Sequence, residues 1–301
     1  MKKNPRPKPT REERRQRARD IRAQAKQDVR KHPLLFTIYV VLRFLVLAVL
    51  VLEAVKGDYY NVFLCVLTLV LFMIPTFVEH RLHIDVPNTL EIIILLFIFS
   101  AEILGEIQEY YLLFPFWDTM LHTMNGFLCA AIGFSLVDLL NRQERVSLNL
   151  SPFFMAVVAF CFSMTIGVLW EFFECTMDQL FFLDMQKDTI VHDISTVMLD
   201  PTGGNTPVVL KDITDVSIVQ ADGTQTALGL GGYLDIGLLD TMEDLFVNFI
   251  GALTFSVFGY FYIKHRGNGR IAKAFIPTIT ETKKESDHAQ PSEKAVEDRD
   301  S

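Results

Sequence analysis

Six long apolar runs, separated by short polar connections, set the pattern of the chain. A helix needs about 20 consecutive apolar residues to cross the bilayer core. The pattern therefore predicts an all-α polytopic membrane protein with six transmembrane helices. The predicted spans are 34–55, 59–79, 89–109, 117–140, 152–178 and 241–263.

Lysine and arginine are distributed unevenly among the connections, and this predicts the topology. Basic residues concentrate in the segments 1–32, 80–88, 141–151 and 264–273. Cytoplasmic loops carry the excess of positive charge, so these segments and both termini are predicted to be cytoplasmic in a cell membrane. The connections 56–58, 110–116 and 179–240 are then predicted to lie outside.

The two ends of the chain are predicted to differ in structure. Residues 1–32 are too extensively charged for a signal peptide, and a capping box at Thr10–Glu13 predicts a surface helix over about 11–31. Such a basic segment is attracted to anionic lipid headgroups, which explains its charge without nucleic acid. The polar segment 264–301 is predicted to be a disordered cytoplasmic tail.

The long connection 179–240 is predicted to be an extracytoplasmic insertion with a short β hairpin. β-Branched residues recur at 208–210, 216–219 and 225–228, with a turn signal at Ala221-Asp-Gly-Thr224. Its length and position predict a lid or cap over the outer ends of the helices.

Composition agrees with a membrane protein. Hydrophobic residues make up 50% of the chain, and the mean hydropathy is +0.28, which favours a polytopic membrane protein over a soluble globule. The 4 cysteines fall inside apolar runs without metal-binding spacing. They are interpreted as packing residues, so the cysteines do not indicate a redox compartment.

Carboxylates and a histidine interrupt the outer ends of three apolar runs, where their burial is costly. Glu171, Glu174 and Asp178 are spaced three and four residues apart, so they form one stripe on a helix. The fourth and sixth spans contribute matching stripes. These are Asp118 and His122, and Asp240, Asp244 and Asn248.

The predicted topology brings all three stripes to the outer leaflet in two layers. The outer layer holds Asp118, Asp178 and Asp240, with Glu174 near it, and the layer one turn deeper holds His122, Glu171 and Asp244. The spans contain no lysine or arginine near that depth, so a proton or a bound cation must offset the repulsion between carboxylates. Gly126, Gly167 and Gly251 are predicted to let the helices approach closely enough to share it.

The residue types predict a divalent metal site. His122, Glu171, Glu174 and Asp244 are the predicted ligands, and Asp118 and Asp240 are the predicted catalytic carboxylates, one of which acts as general base. A mixed histidine and carboxylate set suits Mn, Fe or Zn better than Mg or Ca. No other cofactor is indicated.

Three segments together resemble the YjdF-like inner-membrane proteins, a bacterial family of unestablished function. They are Trp117-Asp118-Thr-Met-Leu-His122-Thr-Met-Asn-Gly126, Trp170-Glu171-Phe-Phe-Glu174 and Asp240-Thr-Met-Glu-Asp244-Leu-Phe-Val-Asn248-Phe-Ile-Gly251. The resemblance covers roughly residues 35–263 and implies a multi-pass bacterial membrane protein. It implies no activity.

Three functions stay open at the level of sequence. The first is a metal-dependent enzyme acting on a lipid-linked or extracellular substrate. The second is a cation- or proton-coupled transporter, although no inverted repeat or broken mid-membrane helix is visible. The third is a structural or partner-binding membrane protein whose polar cluster only supports helix packing.

Overall fold

A computed structural model describes residues 32–82, 84–142, 150–264 and 278–279 of the chain. The predicted helix at 11–31 and most of the predicted disordered tail lie outside these residues. The described part is mainly helical. Its helices are α1 (Pro33–Lys56), α2 (Tyr59–Leu71), α3 (Ile74–Leu82), α4 (Asn88–Phe99), a π-helix (Ser100–Ile107), α5 (Tyr110–Leu113), α6 (Trp117–Arg142), α7 (Pro152–Phe181) and α8 (Leu238–Lys264).

Five helical segments of the described chain are long and apolar enough to cross a membrane. They lie close to five of the predicted spans, because runs of about 20 apolar residues leave little freedom in where a spanning helix begins and ends. These segments are Pro33–Lys56, Tyr59–Glu79, Trp117–Asn141, Pro152–Phe181 and Leu238–Lys264.

The predicted third span, 89–109, has a different local structure. The α-helix α4 ends at Phe99, and the chain continues directly into the π-helix Ser100–Ile107. A π-helix is rare and is often found at functional sites. Since the α-helical part is short, this segment is not among the five, and the sixth span stays a prediction.

The last three long helices pack into one bundle. Helix α6 contacts both α7 and α8, and these two also contact each other. The core of this bundle combines Phe134, Phe255 and Met155 with small residues such as Ala130. Close-packed small residues are what allow helix backbones to approach in membrane proteins.

The first helices form a second group around a mainly apolar centre, in which Thr68 is also buried. Val46, Cys65, Phe72 and Leu95 are buried between α1, α2 and α4. A smaller cluster of Val86, Leu90 and Leu128 joins this group to α6. The molecule therefore consists of two helix groups with a limited contact between them.

Short antiparallel strand pairs complete the fold. The insertion between α7 and α8 contains β2 (Ile190–Val191), β3 (Ile194–Thr196), β4 (Val208–Leu210), β5 (Ser217–Val219), β6 (Gln225–Ala227) and β7 (Tyr233–Leu234). The pair β5–β6 is the predicted hairpin, while β3–β4 and β2–β7 add two pairs that the sequence pattern did not reveal. Outside the insertion, β1 (Ile84–Asp85) pairs with β8 (Thr278–Ile279).

Candidate metal centre

His122 lies at the centre of the polar residues of the three-helix bundle. Its Nε2 atom is 3.5 Å from Asp118 Oδ1 and 3.7 Å from Asp244 Oδ2, and its Nδ1 atom is 3.7 Å from Glu171 Oε1. Helices α6, α7 and α8 each contribute to this arrangement. Among the described residues, His122 is the only basic side chain within 4.0 Å of these carboxylates.

A second group of carboxylates meets the first at Asp244. One oxygen each from Glu171, Glu174 and Asp244 lie within 4.8 Å of one another, as do ligand atoms of Asp118, His122 and Asp244. The indole Nε1 of Trp170 donates a hydrogen bond of 2.7 Å to Glu174 Oε1. Asp244 thus belongs to both groups and joins them.

The separations around His122 match the spacing of metal ligands, while other site carboxylates also form side-chain hydrogen bonds, Asp118 with Asp244 and Glu171 with Thr241 and Gln186. Direct hydrogen bonds between nitrogen and oxygen span about 2.7–3.2 Å, and the contacts of His122 are longer. Ligands bound at about 2.1 Å in a tetrahedral site stand roughly 3.4 Å apart. The site residues Glu171, Glu174 and Asp244 are all buried, and Glu171 Oε2 has no hydrogen-bond partner among the described residues.

Glycines bring the helices together just below these side chains. A Cβ atom at Gly126 would overlap the backbone carbonyl of Asn248, and one at Gly251 would overlap that of Thr123. At Gly167 it would lie 2.6 Å from the Asn248 side chain. The predicted role of these three glycines in close helix approach is confirmed.

Asn248 closes the centre on the membrane side. Its Oδ1 accepts a hydrogen bond of 3.3 Å from Asn125 Nδ2, and its Nδ2 donates to the sulfur of Met164. Ser163 Oγ donates to the carbonyl of Gly126 at 2.7 Å. These contacts tie α6, α7 and α8 together and fix the depth of the ionisable groups above them.

The insertion passes over the end of the bundle where α7 ends and α8 begins, and Asp178 and Asp240 hold it there. Asp178 accepts hydrogen bonds from the backbone N–H groups of Met185 (2.7 Å) and Gln186 (2.9 Å). Asp240 Oδ2 accepts one from the N–H of Lys187 at 2.7 Å. Asp178 therefore anchors the insertion, and Glu174 is the α7 carboxylate that joins Glu171 and Asp244.

Lys187 brings to the site a positive charge that the pattern of the spans does not predict. Its ammonium group forms an ion pair with Asp184 at 3.7 Å, and it also acts electrostatically on Asp118, Glu106 and Asp240. Sequence periodicity gives no signal for it, because it comes from a loop that tertiary contacts place above the site.

Asp235 fixes the other end of the insertion. Its carboxylate accepts hydrogen bonds from the N–H groups of Thr189 and Leu239, at 2.7 and 2.9 Å, and from Gly237. Partial burial alone would raise the pKa of Asp235, but these backbone donors outweigh it and hold the pKa below its ordinary value. The insertion is thus linked to the first turn of α8.

The matches to known proteins agree with this picture of a membrane protein. A family model described as "Predicted membrane protein (DUF2238)" matches residues 38–265. The chain belongs to this family. The match is consistent with the resemblance to YjdF-like proteins, and the family is one of unknown function. A search of curated proteins finds no match, and a search of solved structures finds none either.

Proposed function

We propose that this DUF2238 protein is a metal-dependent enzyme of the cell membrane that acts on a lipid-linked or extracellular substrate. The observation that carries the proposal is the meeting of two ligand groups at Asp244, each contributed by more than one helix. A purely structural cluster would pair its buried polar atoms, whereas Glu171 Oε2 has no partner among the described residues.

The residues divide naturally into roles. Asp118, His122 Nε2 and Asp244 would hold one divalent cation, and Glu171, Glu174 and Asp244 offer a second position. The Nδ1 side of His122 faces Glu171, as metal-bound histidines commonly face a carboxylate that fixes the ring. Mn, Fe or Zn would supply an activated water molecule.

Asp240 is the proposed general base. Its Oδ2 atom accepts a hydrogen bond from the backbone N–H of Lys187, and its other oxygen would take a proton from a water molecule that a bound metal activates. Asp118 was predicted as an alternative base, but its distance to His122 suits a ligand. The hydrogen bond from Lys187 would also keep the insertion over the site as a lid.

We further propose the six-span topology with both termini cytoplasmic and 179–240 outside. The pairing of β1 with β8 supports it, because a predicted inner loop and the predicted inner tail lie side by side. The basic segment 1–32 would then face anionic headgroups.

Cysteine labelling tests the topology. An impermeant reagent should modify Asn205→Cys on intact cells and leave Ser147→Cys unmodified, and the reverse pattern would overturn it.

Elemental analysis of the purified protein tests the enzyme proposal. Stoichiometric Mn, Fe or Zn that is lost in His122→Ala supports it. Absence of metal, together with sodium- or proton-dependent solute uptake in vesicles, would instead support transport. Absence of both, with mild and additive effects of substituting Glu171 and His122 in a complementation assay, would support the structural function.

A further inference from the structure

A long apolar cavity lies between the two helix groups and reaches the candidate metal centre. Its volume is about 810 Å³, and its walls come from α2, α3, α4, the π-helix, α6 and α7, with Leu183 and Met185 of the insertion at the outer end. Such a volume is typical of a ligand site rather than of a packing defect.

The cavity runs along most of the membrane depth. On α6 it is lined from His122 at the outer end to Leu139 at the inner end. At a rise of about 1.5 Å per residue this stretch measures about 25 Å, close to the hydrocarbon thickness of a bilayer. Between these ends leucine, isoleucine and phenylalanine predominate, so the middle of the cavity suits a hydrocarbon chain and not a hydrated ion. Polar side chains return only near the inner end, at Ser135 and Asp138.

The walls of the cavity also form part of the exposed surface. Ile132 and Leu169 line the cavity on one side, and Phe63 and Ile74 line it on the other. All four are exposed in the described structure, from 38% at Ile132 to 60% at Phe63. These residues belong to membrane-spanning segments, so an opening of the cavity between them would face lipid.

The outer end of the cavity is polar and shares residues with the metal centre. His122 and Asn125 line the cavity and also belong to the network of the centre. Glu102 and Glu106 of the π-helix line the same end. A cation bound at the metal centre would place positive charge at this end of the cavity, and the ammonium of Lys187 would add to it. Positive charge there would favour an anionic group of the ligand.

We propose that the cavity binds one hydrocarbon chain of a phospholipid that enters sideways from the bilayer and presents its phosphate at the metal centre. The inference rests on the proposed function and narrows its substrate to a membrane phospholipid. The position of the cavity along the membrane normal supports this assignment. The polar end lies where the predicted topology places the outer headgroups, and the apolar part extends inward from it.

Photo-cross-linking tests the position of the chain. The full-length protein would be placed in nanodiscs that contain a phospholipid with a diazirine near the end of one acyl chain, irradiated and mapped by mass spectrometry. Cross-links should concentrate on cavity residues such as Leu128 and Leu139. In Ile132→Trp/Leu169→Trp, which narrows the opening, these cross-links should be lost.

A matched control separates this effect from general damage. Leu253→Trp/Val257→Trp places the same two rings on an exposed face of α8, away from the cavity, and should retain the cavity cross-links. Cross-links confined to outer helix faces, or unchanged by the narrowing variant, would overturn the inference. If no preparation of the protein contains metal while the cavity cross-links persist, the proposed enzyme function fails, but the binding of an acyl chain in the cavity is supported.

A second measurement needs no substitution. Cys129 lines the cavity, whereas Cys161 is exposed outside it. In delipidated protein, added phospholipid should slow alkylation of Cys129 relative to Cys161. An unchanged ratio of the two rates would contradict chain binding in the cavity.

Discussion

The two helix groups differ in what holds their helices together. In the group α6–α8, glycine contacts and buried polar side chains join the helices, and five ionisable residues meet at one end. In the group α1–α4, a hydrophobic cluster fills most of the centre, and few described polar contacts join one helix to another, such as that from the Tyr39 hydroxyl to the Phe72 carbonyl.

The difference indicates a division of labour. Side chains at a reacting centre must be held precisely, and sites built on rigid elements achieve this better than mobile ones. The tight bundle supplies that rigidity. The apolar group, joined to it by few contacts, leaves the space between them in which the cavity forms.

Substitution of Gly126 or Gly251 by alanine should destabilise the protein most. The added methyl group would overlap a neighbouring backbone, which cannot move without separating α6 from α8. The expected loss in the free energy of unfolding is about 3 kcal/mol or more, measured by thermal or denaturant unfolding in detergent. Gly105→Ala is the control in the first group, because it meets only the ring of Tyr111. Equal losses in the free energy of unfolding for Gly105→Ala and Gly126→Ala would contradict the proposed difference between the two helix groups.

Removal of ligands should abolish function without preventing membrane insertion. His122→Ala and Glu171→Gln should each weaken metal binding by more than about 100-fold, since even changes to the groups that support metal ligands cost 10- to 100-fold. The double variant should lose little more function than either single variant, because the residues act as a unit. Metal titration and complementation measure these effects, and additive mild losses would contradict them.

Tyr39→Phe should have a moderate effect confined to the first group. The hydroxyl of Tyr39 donates to the carbonyl of Phe72 at 3.0 Å and accepts from Arg43 Nη2. Loss of these two hydrogen bonds should lower the free energy of unfolding by about 1–3 kcal/mol, at roughly 0.5–1.5 kcal/mol for each. Metal affinity should stay at the wild-type value. A parallel fall in metal affinity would show that the two groups are coupled more tightly than their contacts indicate.

Acidification should loosen the insertion, and this effect should be smaller than those of the substitutions above. The pKa of Asp235 is lower in the folded protein than its ordinary value. Its stabilising contribution is therefore complete above the unfolded pKa of about 3.9 and is lost as the pH falls through the folded pKa. Hydrogen exchange at the amides of Thr189 and Leu239, corrected for intrinsic rates, should accelerate below about pH 4. Asp235→Asn should remove this dependence, and persistence of it in that variant would assign it to another group.

Much of this contrast could be predicted from the sequence. Apolar runs located five of the long helices, and the spacing of Glu171, Glu174 and Asp178 placed them on one helix stripe. The assembly of Glu171 and Glu174 with His122 and Asp244 followed from their common depth. The break after Leu71 also had a signal, since Pro75 lies just beyond it and cannot continue the hydrogen bonding of the preceding turn.

Other features depend on contacts between distant parts of the chain. Asp178 has the spacing of a site residue, yet it accepts hydrogen bonds from a loop whose path no periodicity encodes. Lys187 reaches the site through the same loop. The widened turns at Ser100–Ile107 have no distinct residue pattern. The cavity arises from the gap between two helix groups, so no single segment could predict it.

The most direct test of the central claim is to locate the ion itself. Anomalous diffraction from crystals of the protein grown with Mn²⁺ should show a peak within coordination distance, about 2.0–2.2 Å, of His122 Nε2 and a carboxylate oxygen of Asp244. The same crystals of His122→Ala should lack that peak. A wild-type map with no peak near Asp244 at saturating Mn²⁺, in well-ordered crystals, would contradict the metal centre and favour a shared proton.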